Sequence, residues 1–107
     1  MNFKFMRVML FFDLPTTTTK DIKSYHTFVK NIKKNGYIMN QYSIYTKLVV
    51  SPKMAQLEES FIRKYVPNNG GNVQLLTVTE NQFASIVYII GDNKSKFLTS
   101  TDKITWI

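Results

Sequence analysis

Residues 5–12 read FMRVMLFF, apolar throughout except for Arg7, and the run halts at Asp13-Leu14-Pro15. Eight extended residues span about 26 Å at roughly 3.3 Å each. A strand this apolar fits a sheet interior covered on both faces, and the rest of the chain must pair with it or pack over it. An acidic residue at the end of such a strand, in a basic chain, marks the first place to look for chemistry.

Pro15 and the threonines Thr16–Thr19 interrupt the extended pattern, and Thr18 with Asp21 three residues on forms a capping-box-like helix start. Ile22, Tyr25, Phe28, Val29 and Ile32 then fall on one face at 100° per residue, and Asn35-Gly36 ends the helix through the left-handed conformation open to glycine. Lys20, Lys23, Lys30 and Lys34 gather on the opposite face, with Lys33 at its margin. Residues 37–50 alternate and are rich in Ile, Val, Thr and Tyr, predicting a main strand over 38–45 and a shorter one over 47–50. Ser51-Pro52 opens a second helix whose apolar stripe reads Met54, Leu57, Phe61 and Tyr65, with Glu59 and Arg63 spaced for an i,i+4 pair. The loop Pro67-Asn68-Asn69-Gly70-Gly71-Asn72 leads to a strand over 73–79, and a further short strand is expected over 85–90. The chain closes on KITWI, a β-prone segment.

This order predicts an α+β, ferredoxin-like βαββαβ sandwich in one domain spanning 1–107, its core at about 4–91 and its extension at 92–107. The extension supplies one more β-strand, expected to add to a sheet edge across a dimer. Ile104, Trp106 and Ile107 are large apolar groups near a terminus, and β-addition to a neighbouring sheet covers them without demanding particular partner side chains.

The chain has 14 Lys/Arg against seven Asp/Glu, a net charge of +7, which favours a polyanionic partner. It lacks cysteine and has one histidine, so disulfides, Cys-type zinc sites, a thiol nucleophile and a Ser-His-Asp triad are all unsupported. The first apolar run is too short for a membrane span and lacks a small-residue cleavage site. An intracellular, cytoplasmic protein without membrane attachment is the expectation.

Three stretches resemble the small CRISPR-associated spacer-acquisition protein, the dimeric partner of the CRISPR integrase, and the type II subgroup above all. They are MRVMLFFDLP, GYIMNQYSIYTKL and GNVQLLTVTENQFASIVYIIG, in order and in register over nearly the whole chain. The resemblance implies a ferredoxin-like homodimer whose C-terminal strands complete the sheet across the two-fold. It also implies a place between integrase subunits, with double-stranded protospacer DNA lying across the assembly. Family members have also been assigned a metal-dependent phosphodiesterase activity on RNA or double-stranded DNA, with the acid ending the first strand as metal ligand. That position is Asp13.

Each candidate carries an ordinary alternative. Asp13 is the catalytic and metal-binding candidate, yet it could simply accept backbone hydrogen bonds in the Leu-Pro turn. One carboxylate makes a poor Mg²⁺ site, so the second would be Asp13 of the other subunit. Two such groups at roughly 6 Å repel by about 3 kcal/mol at an effective dielectric near 20, which a shared ion relieves. Lys20, Lys23, Lys30 and Lys34 are candidates to follow a phosphate backbone without reading sequence, or form a solvated helix face. Arg7, costly to bury alone, either reaches phosphate or pairs with an acid. Ser43 and Tyr45 either position water or phosphate or pack the sheet, and His26 reads as structural or surface. Scaffold, metal-dependent nuclease and toxin-like ribonuclease or RNA-binding module are the functions these residues leave to choose between.

Overall fold

The computed structural model describes residues 5–91. The first apolar run becomes β1 (Met6–Asp13), and its alternate residues Val8, Leu10 and Phe12 are buried. Thr18 caps α1 (Thr19–Lys34): its Oγ1 accepts from the Asp21 N–H at 3.0 Å, and the Asp21 carboxylate accepts from the Thr18 N–H. Phe28 and Ile32 are buried on the inner face of α1 as the helical period requires, and Gly36 ends the helix at φ 98°.

The next strands are β2 (Ile38–Gln41) and β3 (Ile44–Val49), a tight hairpin with a bulge between Met39 and Gln41. The expected boundary near residue 46 therefore lies earlier, at Tyr42-Ser43, where Ser43 takes φ 65°. Ser51 caps α2 (Pro52–Tyr65) by accepting from the Met54 N–H, with Pro52 in the first turn. After the glycine loop come β4 (Asn72–Thr79) and a single helical turn, α3 (Glu80–Ala84). The sheet order is β2-β3-β1-β4, antiparallel throughout, with β1 central. This is the four-stranded ferredoxin-like arrangement expected.

The register divides the sheet into two faces. Val8, Leu10 and Phe12 of β1, with their partners on β3 and β4, meet α1 and α2. Phe12 anchors this core, edge-on to Phe28 at 5.3 Å between ring centres and stacked on Tyr45 at 5.6 Å. Arg7, Met9 and Phe11 point the other way, alongside Leu48 and Ile44 of β3 and Val78 and Leu76 of β4. α1 and α2 lie on the first face, while on the second α3 reaches the Arg7 end and Met9 is buried, so the expected cover on both faces of β1 is complete on one and partial on the other. Leu48 and Leu76 on the second face are 45% and 52% exposed.

Two expectations fail. The apolar stripe expected on α2 does not pack as a unit: Phe61 packs partly against the core, Met54, Leu57 and Tyr65 are exposed, and the residues buried on that helix are Glu58 and Ile62. Glu58 accepts from Asn35 Nδ2 at 2.9 Å, the Tyr37 hydroxyl at 3.1 Å and Lys47 Nζ at 2.8 Å. A carboxylate satisfied three times over can occupy an inner face that its charge would otherwise forbid. The strand expected over 85–90 is also absent: those residues follow α3, which a Thr79–Gln82 capping box starts, and they pair with no strand among the described residues. Residues 85–91 lie outside the sheet, with Val87, Ile89 and Ile90 highly exposed. The expected extension at 92–107, with Ile104, Trp106 and Ile107, lies outside the described residues.

Candidate functional site

Asp13 closes the central strand and is exposed at the sheet end, paired in register with Asn72 of β4. Its position is fixed from two sides. On one, the Phe12 N–H donates to the Ser43 carbonyl at 3.1 Å, tying the strand end to the β2–β3 turn. On the other, Gly71 presses on the residues that follow: a Cβ there would stand 2.5 Å from the Asp13 carbonyl oxygen and 3.0 Å from Leu14 Cα. Gly71 also holds φ 91°, so both space and backbone favour glycine. The loop before it is tied to α1, because Asn69 Nδ2 donates to the Asp21 carboxylate at 2.8 Å. That bond, with those from Thr18, holds the Asp21 carboxyl below the usual carboxylate range.

Asp13 borders an open depression of about 410 Å³ lined by Phe11, Phe12, Tyr42, Ser43, Ile44, Asn72 and Gln74. Tyr42 is 80% exposed at its rim. Beneath, burial pushes the Tyr25 hydroxyl pKa up, and Ser43 and Tyr42 are its polar neighbours. Burial does the same to Tyr45, which packs in the core. These phenols stay protonated and neutral near pH 7 and can donate hydrogen bonds but not act as bases. The one carboxylate of the depression is Asp13, and no group of three His, Cys, Asp or Glu side chains able to hold a metal exists among the described residues. Magnesium commonly takes one or two carboxylates and keeps several waters. A single copy of this rim offers one such ligand and neutral oxygens.

The lysines are elsewhere. Lys20, Lys23, Lys30 and Lys34 are all exposed on α1, whose buried face meets the core, so they look away from the sheet. The fold does not bring them to Asp13, which lies on the face of β1 opposite α1 and α2. Arg7 stands near the far end of β1, six residues or about 20 Å from Asp13 at strand spacing. Its Nε donates to Glu80 Oε1 at 3.0 Å, its second nitrogen to Oε2, and the guanidinium lies 4.4 Å from the Phe83 ring centre. Of the two alternatives for Arg7, pairing with an acid is the one found. His26 is exposed and edge-on to Tyr25.

The family profile described as CRISPR associated protein Cas2 matches residues 6–86, from β1 through α3. The chain belongs to the Cas2 family. It is similar to the CRISPR-associated endoribonuclease Cas2 of Streptococcus mutans, 36% identical over 95% of this chain and 93% of that protein. It is similar also to the CRISPR-associated endoribonuclease Cas2 of Treponema denticola, 39% identical over 92% of this chain and 97% of that protein. A third Cas2 relative, from Ligilactobacillus salivarius, is 36% identical over 92% of this chain and 96% of that protein. No helix among the described residues is long and apolar enough to cross a membrane.

Tyr25, Tyr42, Gly71 and Asn72 escaped the sequence reading as neighbours of Asp13. Only Gly71 carried a signal, as part of the Gly-Gly pair before a strand, and its contact with Asp13 is long-range.

Proposed function

We infer that this Cas2-family chain works in CRISPR spacer acquisition as a homodimeric scaffold, bridging integrase subunits and holding double-stranded protospacer DNA. The observation that carries this reading is the face of the sheet opposite α1 and α2, which α3 meets at its Arg7 end. Phe11, Ile44, Leu48, Leu76 and Val78 form an apolar surface that is part-exposed in one copy, Leu48 and Leu76 most of all, and a second copy, sheet against sheet, covers it. Two further features favour a twin. The β4 edge, NVQLLTVT, carries neither charge nor proline, the usual guards against strand addition. The exposed segment SIVYII just after α3 is a strand in composition without a ladder, and the extension with Ile104, Trp106 and Ile107 would join it across the dimer. Lysines 20, 23, 30 and 34 then lie on the outer helix layers, suited to phosphate contacts on DNA of any sequence.

A second reading is favoured by the exposed Asp13 rim and by the names of the relatives: a metal-dependent endonuclease using Mg²⁺ held by Asp13 of both subunits. When bound, the ion would supply an activated water and offset phosphate charge. The chain's own part is to hold the carboxylate at a fixed height on its central strand and to leave the rim open.

Asp13→Asn separates the two. Spacer integration with the partner integrase and Mg²⁺-dependent cleavage of RNA and duplex DNA are assayed side by side. Retained integration with lost cleavage supports the scaffold with a separable nuclease. Lost integration in a variant that still folds and dimerises contradicts the scaffold reading.

A further inference from the structure

One flank of α2, beside α1, presents a second, part-exposed apolar surface on the helix layer and away from the face assigned above to the twin, with Phe61 also packed partly against the core. Met54, Leu57, Phe61 and Tyr65 recur at spacings of three and four and run along one side of the helix for about 16 Å at 1.5 Å per residue. Leu57 is 59% exposed, and Met54 and Tyr65 are exposed as well. The Phe61 and Tyr65 rings meet tilted by 42° with centres 4.7 Å apart, and together with Asn31, Lys34 and Asn35 of α1 they line a depression of about 210 Å³, room for one large side chain.

The borders of this stripe are basic. On the helical projection Lys53 and Lys64 fall beside Leu57 on one flank, and Lys34 stands across the depression on the other. Lys64 lies over the Tyr65 ring at 5.5 Å. The two carboxylates of α2 do not offset them: Glu58 is buried in its own network and Glu59 is held by Arg63 on the far side.

We propose that this stripe docks an amphipathic helix of another protein, with an apolar seam flanked by Asp and Glu. Three-and-four spacing over three turns is the seam of helix-on-helix packing, and the α1–α2 depression takes one knob of the partner. The lysine borders select acidic flanks and reject a second copy of this chain, because antiparallel pairing of two such helices sets lysine against lysine.

The test uses the full chain and three synthetic helices of about 18 residues, five turns. One has a leucine seam with glutamate flanks, one the same seam with lysine flanks, and one the glutamate composition with its seam scrambled. Binding is read by fluorescence anisotropy. The acidic seam peptide binds at least about tenfold tighter than either other peptide. Met54→Gln with Leu57→Gln removes that binding without changing the melting temperature, and Lys53→Glu with Lys64→Glu turns the preference toward the lysine-flanked peptide. The proposal is overturned by equal binding of the three peptides or by undiminished binding to the glutamine variant. A change in oligomeric mass of that variant in sedimentation would make the stripe a self-contact. Weaker duplex DNA binding by the same uncharged variant would make it a nucleic-acid surface.

Discussion

Replacing Glu58 with alanine should be among the most damaging single changes in this molecule outside the apolar core. The carboxylate is buried and accepts from three donors on three separate elements: the α1 cap at Asn35, the entry to β2 at Tyr37, and β3 at Lys47. Its loss leaves the buried Tyr37 hydroxyl without its acceptor and the mostly buried Lys47 ammonium without a counter-charge. Breaking a buried pair costs about 3–5 kcal/mol, and the remaining exposure of Lys47 argues for the lower end, about 3. Against a total stability of about 5–15 kcal/mol, this lowers the melting temperature by roughly 12–24 °C. Urea and thermal unfolding of Glu58→Ala, Lys47→Met and the double variant Glu58→Leu/Lys47→Met provide the measurement. The double variant should recover the share due to the unpaired Lys47 charge but not the share due to the Tyr37 hydroxyl and Asn35 amide, which still lack their acceptor. A loss below about 1 kcal/mol in Glu58→Ala, or strict additivity of the two sites, would refute the account of Glu58 as a buried anchor.

Gly71→Val should destabilise by about 2 kcal/mol through a strained left-handed backbone and the collision with Asp13, whereas Gly70→Ala, with open space around it, should cost about 1; paired thermal melts compare them. The Tyr37 pKa is raised, first by burial and then by the Glu58 charge, so the folded state holds its proton after the unfolded chain has released it. Stability should therefore be unaffected below about pH 10 and fall as pH rises above it, with a shallower fall in Tyr37→Phe, as followed by denaturation at stepped pH. Lys23→Glu with Lys30→Glu should weaken duplex DNA binding uniformly across sequences and flatten its salt dependence, and unchanged affinity would make the stripe a solvated face.

Local signals read cleanly from the sequence wherever the chain itself satisfied them. The Thr18–Asp21 box, the Ser51 cap with Pro52, and the Asn35-Gly36 stop each involve neighbours, and each is found. The errors arise where a distant residue decides. The apolar stripe of α2 is legible in the sequence, but the burial of Glu58 beside it is not, because only Lys47, Tyr37 and Asn35 make that carboxylate acceptable inside. The turn at Tyr42-Ser43 has no glycine, asparagine or proline to announce it. The segment after Thr79 has strand composition, but its capping box acts first. For the site, Asp13 was legible as an acid ending an apolar strand, but the tyrosines and the glycine around it converge from other elements.

The central place of β1 has a consequence for how the molecule breathes. Edge strands separate before the strand bonded along both flanks, so amide exchange should be slowest along Val8–Phe12. The acid at its tip is then moored to the last part of the fold to melt, while the surfaces that recruit other molecules sit on layers free to adjust around it.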